Sequence, residues 1–171
     1  MTTSILESPS ESDISGALRW GDIPDDASEM TILLLAYIRE NEIQKFYNKS
    51  KKRLASPTSR RIFNELSKQK IHHRDMLKAY YNELSGKYQM PGSIEELIGN
   101  HSLPMAPPKR HADLFDVFQL TMEVEKNCHD FFEDALDYIK NNSLAKAFRF
   151  LANKEKKHLQ YLLNQFCTST E

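Results

Sequence analysis

Glycine is scarce, with five in 171 residues, while long-chain helix formers are common. That balance favours an all-helical fold. Cysteine is scarcer still. Cys128 and Cys167 are the only two, and they form no Cys-x-x-Cys pair. This argues against a disulfide framework and against a zinc or iron–sulfur knuckle. A surplus of charge is also missing. The formal net charge is −1, so no global electrostatic attraction to nucleic acid exists. Long apolar runs are absent too: Ile32 to Tyr37 is far too short to span a bilayer. The N-terminus lacks the basic-then-apolar pattern of a signal peptide. The expectation is a soluble cytoplasmic protein of one domain, with neither nucleic acid nor membrane as partner.

What the chain does contain is helical periodicity. Residues 1–23 are rich in Ser, Thr and acidic side chains without a sustained period, and read as a flexible tail. Residues 24–171 read as four long helices. The first opens at Pro24-Asp25-Asp26, where Asp26 and Glu29 fit a capping box. It closes in the basic run Lys49 to Arg53. Ser56-Pro57 starts the second, which runs to about Ser85 with Gly86 as its stop. Its stripe is Ile62, Leu66, Gln69, His72 or His73, Met76, Tyr80 and Leu84. A proline-rich connection, Lys87 to Arg110, breaks the pattern and includes a possible short helix at 93–98. The third helix runs from about Asp113 to Lys140. Asn141-Asn142 breaks the chain, and Ser143 caps the fourth. Short loop, long loop, short loop describes a four-helix bundle with one long crossover.

The last helix carries Glu155-Lys156-Lys157-His158 within an apolar stripe of Leu144, Phe148, Leu151, Leu162 and Phe166. Side chains three apart share a helical face. A carboxylate and an imidazole in such a stripe cost roughly several kcal/mol unless a metal or a polar partner satisfies them. The first helical pair echoes the second. Glu40 and Tyr47 fall on Glu125 and Phe132, and Gln69 and His72 fall on Glu155 and His158, with a shift constant to within one residue. A duplicated hairpin of this kind gathers carboxylates and imidazoles around one point in the bundle core. Mixed oxygen and nitrogen ligands suit iron or manganese, with zinc possible.

These residues resemble the rubrerythrin branch of the ferritin-like di-iron superfamily. Glu40 to Tyr47 is similar to its first-helix motif, Glu125 to Phe132 to its third-helix motif, and Glu155 to His158 to its fourth. The resemblance covers residues 28–166 and implies an all-α ferritin-like bundle with a homodimeric assembly. It maps Glu40, His72, Glu125, Glu155 and His158 onto ligands of two iron ions, and Tyr47 onto a tyrosine beside the cluster. The implied activity is oxidoreductase chemistry: reduction of peroxide or dioxygen in oxidative-stress defence, or oxidation of iron(II). Gln69, His129 and Glu65 are further candidates for the core face. Leu34 and Ile38, off the first helix's stripe, offer a dimer seam.

Three features depart from the pattern. Gln69 stands where the family has a bridging Glu, which removes a negative charge and weakens a second ion. Met122 replaces an additional Glu. No Cys-x-x-Cys pair supports a rubredoxin-like domain, so electrons would come from a separate donor protein or from the substrate metal itself. Two alternatives therefore stand beside the oxidoreductase: a metal-binding or storage protein with a single ion, and a metal-free scaffold whose buried polar residues serve one another.

Overall fold

The computed structural model describes residues 23, 25–88, 108–110 and 112–169. Within them four helices form: α1 (Glu29–Ser50), α2 (Pro57–Tyr88), α3 (Leu114–Ala135) and α4 (Asn142–Ser169). No strand occurs among the described residues. The expected all-α bundle is what forms, with α1 packed along α2 and α3 along α4. Nearly all of the N-terminal tail, most of the long connection and its possible helix at 93–98 lie outside the described residues. Ile23 is described, and it packs against the core.

The helix ends follow from local hydrogen bonding. Ser28, not Asp26, caps α1 by accepting from the Thr31 amide at 3.1 Å. A serine hydroxyl at this position satisfies an amide that has no partner within the helix. A 3-10 turn, Lys51–Arg53, follows α1, and Arg60 donates to the Leu54 and Ala55 carbonyls at 2.9 Å. Ser56 accepts from the Ser59 amide and opens α2 at Pro57. Gly86 does not stop α2, which continues to Tyr88. Asp113 caps α3 through the Asp116 amide at 2.8 Å. The third helix is shorter than its periodicity suggests, because a 3-10 turn takes over at Leu136–Tyr138. Asn141, rather than Ser143, caps α4 through the Leu144 amide at 3.0 Å. Glu29 then accepts from the amides of Lys140 and Asn141, tying the start of α1 to the α3–α4 turn.

Two apolar clusters fill the interior. One gathers Ile32, Leu33, Ala36, Leu77, Tyr81, Phe132, Phe148 and Leu151. The other gathers Ile43, Phe46, Tyr47, Phe63, Leu66, Val124, Cys128 and Leu162. On α1, α2 and α4 a short polar stretch lies where the chain passes from one cluster to the other (Glu40, Lys70 to His73, and Glu155 to His158), while Glu125 on α3 sits between Val124 and Cys128 of the second cluster. The bundle is thus two hydrophobic cores with a charged layer between them. Of the two residues of the suggested dimer seam, Ile38 is buried in the first core and Leu34 is partly buried against it.

Candidate metal centre

The charged layer has a strict internal order. Glu40 on α1, Lys70 and His73 on α2 recur as Glu125 on α3, Glu155 and His158 on α4, each shifted by 85 residues. Apolar neighbours obey the same shift: Phe46 and Phe131, Phe63 and Phe148, Leu66 and Leu151, Leu77 and Leu162 are all buried. The second helix therefore presents Lys70 and His73, not Gln69 and His72, to the centre. Gln69 is only half-buried and His72 is exposed. One residue on a helix is about 100° of rotation, enough to exchange a core position for a flank. The useful signal is the constancy of the shift, since Gln69 and His72 require 86 residues where every buried pair uses 85.

Lys70 is the residue that motif reasoning misses. Its side chain is fully buried. Its ammonium stands 2.8 Å from Glu155 Oε2, 3.3 Å from Glu125 Oε2 and 3.6 Å from Glu40 Oε1. Lysine is almost never buried unless paired, and here three carboxylates surround it. Burial alone would lower its pKa, but Cys128 and the carboxylates of Glu125, Glu155 and Glu40 outweigh burial and raise it well above its ordinary value. Cys128 is itself a buried thiol pushed up by desolvation, so it stays neutral and the carboxylates hold the ammonium charged.

The histidines complete the layer. His73 Nδ1 lies 3.0 Å from both Glu40 Oε2 and Glu155 Oε1, and the hydrogen bond goes to Glu40. His158 Nδ1 lies 2.8 Å from Glu125 Oε2 and 3.1 Å from Glu155 Oε2. The two rings are nearly parallel, 5.7 Å apart, as the internal repeat requires. Burial would lower both pKa values. The facing carboxylates reverse this and bring each histidine to about 9. Glu155, the carboxylate shared by everything around it, is pushed up by burial. Lys70 and the two histidines nevertheless hold it well below the usual carboxylate range. Glu125 is raised, because burial exceeds the opposing pull of Lys70. Tyr47 donates from its hydroxyl to Glu125 Oε1 at 2.6 Å, and burial followed by the charge of Glu125 raises its pKa well above 10.

The other candidates fall away from the centre. His129 Nδ1 donates to the Ala152 carbonyl at 2.9 Å, which occupies the ring as a tie between α3 and α4. Glu65 is exposed and pairs with Lys68. Among the described residues two groups could hold a metal ion: Glu40 with His73 and Glu155, and Glu125 with Glu155 and His158. Lys70 stands between the two groups. Its ammonium sits against carboxylate oxygens of both groups.

Comparison with known proteins agrees with this architecture. The family model Rubrerythrin matches residues 31–165, nearly the whole bundle, so the chain belongs to the Rubrerythrin family. The membership implies a metal, typically iron. No curated protein and no solved structure matches the chain. No described helix is long and apolar enough to cross a membrane.

Proposed function

We propose that this Rubrerythrin-family chain is a metal-binding protein that takes one divalent ion, with the ammonium of Lys70 in place of the second. The observation that supports the reading is the position of Lys70 Nζ within 3.6 Å of three buried carboxylates. Charge decides the number of ions. Two divalent ions together with Lys70 would bring five positive charges against the three negative ones of Glu40, Glu125 and Glu155. An excess of that size in a fully buried site costs several kcal/mol, roughly, per unpaired charge. One divalent ion and Lys70 balance the three carboxylates, with both imidazoles neutral.

The reading bears on chemistry as well. When bound, an iron ion would supply one electron in passing from iron(II) to iron(III). Reduction of peroxide to water takes two. A single-ion centre therefore lacks the paired electrons that a peroxidase or oxidase of the di-iron type uses. The chain's own contribution is binding and placement. Tyr47 orients Glu125, Lys70 holds Glu125 and Glu155 as carboxylates, and the two apolar clusters exclude water.

Metal content per chain, measured after anaerobic loading with iron(II) and desalting, tests this. The native chain is expected to retain one ion, and the Lys70→Glu variant two. Two ions in the native chain would overturn the reading, and so would none.

A further inference from the structure

The internal repeat makes the two halves of the centre equivalent in position, yet their hydrogen bonding is not equivalent. In the α3–α4 half three of the four carboxylate oxygens are satisfied. Glu125 Oε1 accepts from Tyr47, Glu125 Oε2 from His158, and Glu155 Oε2 from Lys70. The unsatisfied atoms of the charged layer are the fourth oxygen, on Glu155, and two atoms of the α1–α2 half. Glu40 Oε1, Glu155 Oε1 and His73 Nε2 are buried and have no hydrogen-bond partner among the described residues. Glu40, Glu155 and His73 are each at least nine-tenths buried. A buried polar atom without a hydrogen-bond partner costs about 1–3 kcal/mol, so the Glu40–His73 side of the layer is the less satisfied one.

We infer that the single ion binds in the α1–α2 half, between Glu40, His73 and Glu155, and that the Glu125–His158 half is closed to metal by Lys70 and Tyr47. The inference rests on the one-ion reading above and adds which half is used. The donor atoms suit it. His73 Nδ1 lies 3.0 Å from one oxygen of Glu40 and 3.0 Å from one of Glu155. Bonds of about 2.1 Å at near-right angles put neighbouring donors about 3 Å apart. Glu155 divides its two oxygens between the halves: Oε2 receives Lys70, while Oε1 faces His73. It can thus bridge an ion and an ammonium as a family carboxylate would bridge two ions. The corresponding space in the other half offers no free oxygen. An ion there would first have to displace the ammonium from Glu125 Oε2 and Glu155 Oε2. One imidazole and two carboxylates, all oxygen and nitrogen donors, select manganese, iron, cobalt or zinc rather than a thiophilic metal.

The test uses cobalt(II), whose visible bands report bound nitrogen and oxygen ligands, on the metal-stripped full chain. Native protein and His158→Asn are each expected to bind one cobalt per chain with closely similar bands and a raised melting temperature. His73→Asn is expected to lose the bands and the shift in melting temperature. Loss in His158→Asn with retention in His73→Asn would overturn the assignment while leaving the one-ion reading intact. Zero or two cobalt ions in the native chain would instead overturn the reading itself. If either variant fails to fold by circular dichroism, cobalt-loaded native crystals decide the matter. An anomalous peak beside His73 supports the inference, and one beside His158 removes it.

Discussion

Lys70 and Glu155 stand 85 residues apart in the chain and 2.8 Å apart in space, at the same place in the two copies of an internal repeat. Where one copy has a carboxylate the other has an ammonium, and the two neutralise each other across the bundle axis. The one-ion reading proposed above rests on that pairing.

Lys70→Met tests the pairing in the metal-free chain. The substitution keeps most of the side chain's volume and removes its charge. It leaves Glu40, Glu125 and Glu155 buried with two histidines for three carboxylates. Breaking a buried ion pair by removing one partner costs about 3–5 kcal/mol. Urea denaturation of the variant is expected to show a loss of that order, and a loss below about 1 kcal/mol would contradict the geometry.

Tyr47→Phe removes the donor to Glu125 Oε1 and changes little else in the packing around Phe46 and Phe63. A buried carboxylate oxygen left without a partner costs about 1–3 kcal/mol. The same urea titration measures it. The effect is expected to shrink in a Tyr47→Phe, Glu125→Gln double variant, since an amide carries no charge to solvate.

Gln69→Glu and His72→Ala are expected to do almost nothing. Both positions lie off the buried face of α2. Changes at such sites fall within roughly 0.5 kcal/mol, and the iron content per chain should match that of the native protein. A second ion gained by Gln69→Glu would restore the register that the family motif suggests.

Stability of the metal-free chain is expected to fall as pH rises from neutrality. His73 and His158 have pKa values near 9 in the folded protein, against an ordinary value of 6.5. A raised folded pKa contributes stability that is fully present below about 6.5 and is lost as pH rises through about 9. The contribution is at most roughly 3 kcal/mol per histidine, and less for the pair because both draw on Glu155. Lys70 remains charged throughout this range. Melting temperature followed from pH 6 to pH 10 checks the prediction, and a flat profile would contradict it.

Much of the candidate site is legible in the sequence. Glu40, Glu125, Glu155, His158 and Tyr47 all reach the centre, because each sits on a strongly periodic stripe or in a local motif. The second helix is misread by one residue. Gln-x-x-His is closer to the expected Glu-x-x-His than Lys-x-x-His is, and a lysine reads as a surface residue. His129 meets the spacing for the core face, yet its ring is held by a backbone carbonyl of α4. Spacing on α3 alone carries no information about that carbonyl.

The amino-acid sequence by itself determined the helices, their pairing and the two copies of the repeat, since apolar period, caps and a constant shift are local properties of the chain. Only the tertiary structure decided that Lys70 is inside. No local preference favours burying an ammonium. It becomes favourable when α1, α3 and α4 bring Glu40, Glu125 and Glu155 to within 3.6 Å of one point, and those three helices meet only in the folded bundle.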